Sequence, residues 1–62
     1  GEIVGIEAKN TETLTPKDFQ SLKFLQQKMK KRFVIGIILY QGSEIVPAGE
    51  GLFAVPVQAM WG

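Results

Sequence analysis

One run of eight residues constrains the fold of this 62-residue chain more than any other feature. From Phe33 to Tyr40 each position is apolar, aromatic or glycine, and four of the side chains are β-branched. This pattern is typical of a strand that lies in the middle of a sheet and is buried on both faces. The run is far shorter than the roughly 20 residues that a membrane helix needs. We therefore expect a strand, and a protein without a membrane partner.

A shorter apolar segment near the beginning of the chain predicts a second strand. Residues Glu2 to Ala8 are rich in Ile and Val, and the polar stretch Asn10 to Thr13 follows them. Such a change in composition is typical of a strand that runs into a loop.

The segment between the two strands carries the signals of a helix. Thr15 is a good N-cap, Pro16 would occupy the first helical position, and Asp18 the third, near the positive end of the helix dipole. Apolar residues then recur at spacings of three or four, which predicts one stripe that packs on the sheet: Phe19, Leu22, Leu25 and Met29. We expect the helix to end near Lys30.

The last third of the chain predicts two short strands. Gln41 to Glu44 has turn chemistry, Ile45 and Val46 precede a break over Pro47 to Gly51, and Leu52 to Val57 reads as a strand. Pro56 lies inside that strand and cannot donate a ladder hydrogen bond, so we expect it at a sheet edge. Residues 58–61 are expected to form a final turn.

These elements predict an α/β fold of order β-α-β-β, in which a parallel βαβ unit is followed by an antiparallel hairpin. One helix can cover only one face of such a sheet. The chain has no Cys and no His, so neither disulfides nor a structural metal can compensate for its small core. It also opens without Met or the layout of a signal peptide. We therefore expect residues 1–62 to form a single partial domain, partnered by the remainder of its own parent chain or by a second copy in a homodimer.

Charge and cysteine content give weaker limits. Seven basic and six acidic residues leave a net charge of +1, which is too small to indicate nucleic acid or a membrane by itself. The absence of Cys fits a reducing compartment, and the cytoplasm is the expected location.

Glu7 and Lys9 form the first candidate site. They stand two positions apart on a strand and so share a face. A carboxylate at a strand end can hold Mg²⁺ while the neighbouring ammonium steadies a water or a phosphate oxygen, as phosphodiester hydrolysis requires. The alternative, which the residue types alone favour, is a solvated ion pair that keeps a strand edge soluble.

The second candidate surface lies on the helix, opposite its apolar stripe: Lys17, Phe24, Lys28 and Lys31. An aromatic ring among lysines could stack on a base or enter a partner pocket while the cations meet phosphates. The alternative is a solvated helix face with Phe24 folded against a lysine stem. Tyr40 and Trp61 carry a similar ambiguity and are expected to be core or boundary aromatics.

Four motifs in order resemble a known family, the carboxy-terminal domain of unknown function carried by prokaryotic AAA-type ATPases, which is related to the PD-(D/E)XK nuclease fold. The motifs are Ile6–Lys9, Thr15–Phe19 with Leu22, Gly36–Gly42, and Ala54–Val57 with Met60 and Trp61. The resemblance spans nearly the whole chain. It implies a partial restriction-endonuclease-like core, the carboxy-terminal part of a larger nuclease-like domain.

The resemblance also places Glu7 and Lys9 on the second half of the nuclease signature, as catalytic residues with Glu7 as the metal ligand. The first half is missing, because Glu2 is the one acidic residue before Glu7 and faces the other way. The chain also lacks the Gly-Lys-Ser or Gly-Lys-Thr of a P-loop, which excludes ATP hydrolysis by this part of the protein.

Three functions therefore stay open. The preferred one is a scaffold and interaction module of an ATPase, without a cofactor and without catalysis of its own. The second is the latter half of a Mg²⁺-dependent DNA nuclease core, in which the intact domain holds Mg²⁺. The third is a small nucleic-acid-binding piece that uses the Lys17, Phe24, Lys28 and Lys31 face, with DNA as its partner.

Overall fold

The computed structural model describes residues 1–60 of the chain. A first strand, β1 (Ile3–Ala8), leads through a loop into a helical layer, the name used here for residues 16–32. This layer consists of a 3₁₀ turn (Pro16–Phe19), the helix α1 (Gln20–Met29) and a second 3₁₀ turn (Lys30–Arg32). Three strands follow: β2 (Phe33–Tyr40), β3 (Val46–Gly49) and β4 (Leu52–Pro56). A 3₁₀ turn at Val57–Met60 comes after them. Within residues 1–60, no helix has the length and apolarity needed to cross a membrane.

The strands form one sheet in the order β1-β2-β4-β3. β2 pairs in parallel with β1 on one side and with β4 on the other, whereas β3 pairs antiparallel with β4. The predicted α/β class, the parallel βαβ unit and the antiparallel hairpin are therefore confirmed. β2 occupies the middle of the sheet, as its apolar sequence predicts.

The structure corrects what the sequence predicted for the two strand prolines, Pro47 and Pro56. Pro56 is not on an edge strand, because β4 lies between β2 and β3. It is tolerated because it is the last residue of β4, beyond the positions that pair with β3. The edge strands are β1 and β3, and β3 runs through Pro47, where the sequence predicted a break. The turn itself is confined to Glu50 and Gly51.

The start of the helical layer agrees with prediction. Thr15 has extended backbone angles and Pro16 occupies the first position. The Asp18 carboxylate accepts a hydrogen bond from the Thr15 N–H at 2.8 Å, and the Asp18 N–H donates to the Thr15 carbonyl at 3.0 Å. These contacts satisfy polar groups that a helix end leaves without intrahelical partners.

The core lies between the helical layer and one face of the sheet. Phe19 and Leu22 are buried, and Leu25 and Met29 pack against the core, so the predicted stripe is confirmed. From the sheet, the fully buried residues Ile38 and Ala54 meet them. Buried residues of the core cluster are Phe19, Leu22, Phe33, Ile38, Tyr40, Leu52 and Ala54.

The other face of the sheet lacks a covering layer in the part of the chain that the structure describes. Burial alternates along β2, where Gly36, Ile38 and Tyr40 are buried and Ile37 and Leu39 are only half-buried. The prediction that this strand is buried on both faces is therefore wrong for residues 1–60. A single helix can cover only one face of the sheet, whereas β2 has apolar residues on both faces.

Candidate functional site

Glu7 and Lys9 lie together at the carboxyl end of β1, as predicted. The Lys9 Nζ is 3.2 Å from the Glu7 Oε1, and about a third of each side chain is exposed. The Lys9 N–H donates to the Leu39 carbonyl at 2.8 Å, which fixes the strand end against the central strand. The two side chains thus form a partly solvated ion pair on one face.

The pair does not by itself fit a Mg²⁺ ion. One Glu7 oxygen already faces the Lys9 ammonium, and residues 1–60 contain no group of three acidic, His or Cys side chains that could hold a metal. Mg²⁺ bound to protein usually takes one or two carboxylates together with substrate phosphates. The described residues therefore supply a single carboxylate and no complete metal site.

A groove of about 470 Å³ opens beside the carboxyl ends of β1 and β2, and its lining is mainly apolar. The loop before the helical layer forms one wall and the edge strand β3 the other. The Gln41 N–H donates to the Thr11 carbonyl at 2.8 Å, which holds the loop against the end of β2. The lining residues are Glu12, Thr13, Leu14, Thr15, Pro16, Phe19, Lys23, Tyr40, Val46 and Ala48.

Sequence reasoning missed this groove. Its walls come from segments that the sheet topology brings together, and no local pattern predicts that β3 lies opposite Leu14. Tyr40 lines it as a buried aromatic whose hydroxyl donates to the Glu44 carbonyl, so its predicted core role is confirmed. Trp61 lies outside the described residues. Neither Glu7 nor Lys9 lines the groove.

The helical layer presents its predicted basic face to solvent. Phe24 is 67% exposed, and Lys17, Lys28 and Lys31 are exposed as well. Phe24 lies opposite the buried Leu22, because two residues correspond to about 200° of an α-helix. The structure thus exposes all four predicted residues, and a spacing of four places Lys28 beside Phe24 on α1, whereas Lys17 and Lys31 lie in the flanking 3₁₀ turns.

A third surface is the open sheet face, defined here as the apolar side chains that point away from the helical layer. Alternation along the strands assigns them, since Gly5 and Gly36 face the helix and their neighbours face the other way. Val4 and Ile6 on β1 are 53% and 62% exposed. The open sheet face comprises Val4, Ile6, Ile35, Ile37, Leu39, Phe53 and Val55.

The sequence indicates that a second apolar face exists but does not show which side of the sheet it is. Apolar residues fill both alternating sets of positions in Phe33–Tyr40, which predicts two covered faces. Which of the two sets lies bare depends on the side that the helix takes, and the handedness of the crossover decides this.

Comparison with known proteins gives one family. No curated protein and no solved structure matches the chain. The family model described as domain of unknown function DUF4143 matches residues 1–60. That match covers nearly the whole sequence, in agreement with the expectation of a domain of unknown function, and the chain therefore belongs to the DUF4143 family.

Proposed function

We propose that this domain is a scaffold and interaction module of a larger, ATPase-associated protein, and that it docks through the open sheet face without catalysing a reaction itself. The observation that carries the proposal is the bare apolar face of a parallel strand set. β1, β2 and β4 run parallel. Strands that pair in parallel are normally covered on both faces, and although β3 makes this sheet mixed, only one face of the parallel set is covered within residues 1–60.

The chemistry of the face supports docking on a polypeptide. Three strands at a spacing of about 4.8 Å, over about five residues each, give a planar footprint on the order of 250 Å². The side chains that form it are Val, Ile, Leu and Phe, without a charge among them. The largest apolar patch of a typical soluble monomer measures about 300–600 Å² and is often functional, so the uncharged composition of this face, more than its size, supports docking. An uncharged, apolar partner surface fits this face best.

The partner we propose is the remainder of the same parent polypeptide. A covering layer from the same polypeptide would always be present at a high effective concentration. Its docking would not cost the translational and rotational freedom that a separate partner loses on binding. The resemblance to domains carried by prokaryotic ATPases supports this choice. A second copy of the domain is the competing partner.

The test uses the absence of Cys from this chain. Ile6→Cys places a thiol on the open sheet face, and Ser21→Cys places a matched thiol on the exposed side of α1. Each is introduced into the isolated chain and into the intact parent protein, and maleimide labelling is followed by peptide mass spectrometry. We expect both thiols to react readily in the isolated chain, and the Ile6→Cys thiol alone to be protected in the parent.

Two other outcomes are informative. Equal labelling of the two thiols in the parent protein would contradict the proposal. Protection of the Ile6→Cys thiol in the isolated chain, increasing with protein concentration, would assign the face to a homodimer instead.

A second candidate function is the latter half of a Mg²⁺-dependent DNA nuclease core. It is favoured by one observation, the 3.2 Å pairing of Glu7 and Lys9 at the carboxyl end of a parallel strand. A complete site would need a further carboxylate from outside residues 1–60. The test is Mg²⁺-dependent cleavage of DNA by the parent protein, which Glu7→Gln should abolish and Glu12→Gln should leave intact.

A further inference from the structure

The charges of this small domain are segregated between the helical layer and the rest of the chain. Residues 16–32 carry six basic residues and one acidic residue, a net charge of +5. The rest of the chain carries one basic and five acidic residues, a net charge of −4. The total of +1 is therefore the sum of a strongly basic helical layer and an acidic remainder, in which Glu7 is the one acidic residue on a strand among residues 1–60. The basic residues of the layer are Lys17, Lys23, Lys28, Lys30, Lys31 and Arg32.

Most of these cations are available to an external anion, although the Arg32 Nε–H already donates a hydrogen bond to the Gly1 carbonyl at 3.0 Å. All six are exposed. The ion pair found among residues 1–60 joins Lys9 to Glu7 and involves none of them. Asp18, the one acidic residue of the layer, is engaged at the helix start with the Thr15 N–H. A concentration of exposed cations in one layer is the electrostatic footprint expected of a polyanion-binding surface.

Phe24 indicates which class of polyanion fits this surface. Its ring is 67% exposed, and Lys28 is its neighbour one helical turn away. An aromatic ring among cations can stack on a base while the ammonium groups contact phosphates. The bases of a duplex are stacked on one another and do not offer a free face, whereas those of a single strand do. Membrane insertion would instead require several apolar side chains on this side of the helix.

We infer that the outward side of the helical layer binds single-stranded nucleic acid, with Phe24 stacking on a base and Lys17, Lys28 and Lys31 contacting phosphates. This surface lies on the opposite side of the domain from the open sheet face. Binding there is therefore compatible with docking of the sheet and does not depend on it.

The experiment is fluorescence anisotropy of a labelled 20-nucleotide oligo-dT with the 62-residue chain between about 50 and 200 mM salt. We expect saturable binding whose log affinity falls with log salt, with a slope near −2 for three phosphate contacts at about −0.7 each. Phe24→Ala should weaken binding about tenfold or more without changing the slope. Lys28→Gln should weaken it and reduce the slope by about 0.7.

Lys23→Gln is the matched control, because it removes an equal charge from an exposed residue of the same helix that lines the groove and is not among the proposed phosphate contacts, and it should leave binding unchanged. Circular dichroism checks that each variant stays folded. The inference is overturned by the absence of saturable binding at about 50 mM salt, by equal affinity of Phe24→Ala and wild type, or by a loss with Lys23→Gln as large as that with Lys28→Gln. Equal affinity for a duplex of the same length would overturn base stacking, and preference for vesicles of phosphatidylserine over oligo-dT would assign the face to a membrane surface.

Discussion

Gly5 and Gly36 are register partners in the parallel pair of β1 and β2, and Leu22 of α1 packs over both of them. A Cβ added at position 5 would lie 2.8 Å from Leu22 Cδ2, and one added at position 36 would lie 3.4 Å from Leu22 Cδ1. The two missing side chains leave a depression in the sheet that the leucine fills. This contact sets how closely the helical layer approaches the sheet.

Gly36→Ala should destabilise the domain by about 1–3 kcal/mol, the usual cost of overpacking a core. The added methyl would meet Leu52 Cδ2 and Phe33 Cζ, each at 2.8 Å, and both residues are buried. Urea unfolding followed by far-ultraviolet circular dichroism measures the change. Gly1→Ala, where nothing lies within 4 Å of the added atom, is the control and should be neutral. Equal stability of the two variants would contradict the close packing of Leu52 and Phe33 around Gly36.

Gly51→Ala should destabilise the domain by about 1–2 kcal/mol through backbone strain. Gly51 has a φ of +74° in the turn between β3 and β4, a conformation that residues with a Cβ adopt at a cost. Its carbonyl also accepts a hydrogen bond from the Gly36 N–H at 2.7 Å, so a shift of the turn would disturb the central strand. Thermal melting measures the loss, and an unchanged midpoint would argue against this turn geometry.

Asp18→Ala should lower the stability of the domain by about 0.5–2 kcal/mol, because the Thr15 N–H at the helix start loses its acceptor. Glu12→Ala removes an exposed loop carboxylate without a role in the helix start, and its effect should stay within about 0.5 kcal/mol. The two free energies of unfolding are compared at equal ionic strength. Similar values for both variants would show that overall charge, and not the helix start, dominates.

Mg²⁺ titrated into the isolated chain should produce no saturable shift of the Glu7 and Lys9 amides below about 1 mM, because one carboxylate is a weak ligand set. Amide chemical shifts followed by NMR provide the measurement, and Glu7→Gln is the control for non-specific ionic effects. Saturation at lower concentration, lost in Glu7→Gln, would instead support a surviving half of a nuclease site.

The elements of the fold could be predicted because their signals are local. Thr15, Pro16 and Asp18 specify the helix start through their own backbone contacts, and the apolar run of β2 specifies the central strand. The misplacement of Pro56 has a different origin. Proline favours edge strands, but the sequence of a strand does not say which strands will pair on either side of it. Here β4 pairs with both β2 and β3, so that β3 lies at the edge and β4 does not.

The candidate sites could be predicted only as faces. A period of two placed Glu7 beside Lys9, and a period of 3.6 placed Phe24 opposite Leu22. The groove beside Tyr40 and the bare side of the sheet depend on which elements the topology brings together, and this information is not contained in any one segment. The family itself, a domain of unknown function, gives no chemistry from which to choose among the faces.

Ile6→Lys tests the docking of the open sheet face most directly, because Ile6 is 62% exposed within this chain. Hydrogen exchange of the peptide that covers Phe33–Tyr40 is measured for wild type and variant, in the isolated chain and in the intact parent protein. In the isolated chain, we expect the free energy of opening from hydrogen exchange to change by no more than about 0.5 kcal/mol. In the parent protein, we expect it to fall by about 1–3 kcal/mol or more, because the lysine would be buried without a partner. An equally small effect in both would contradict the proposal that this face is covered.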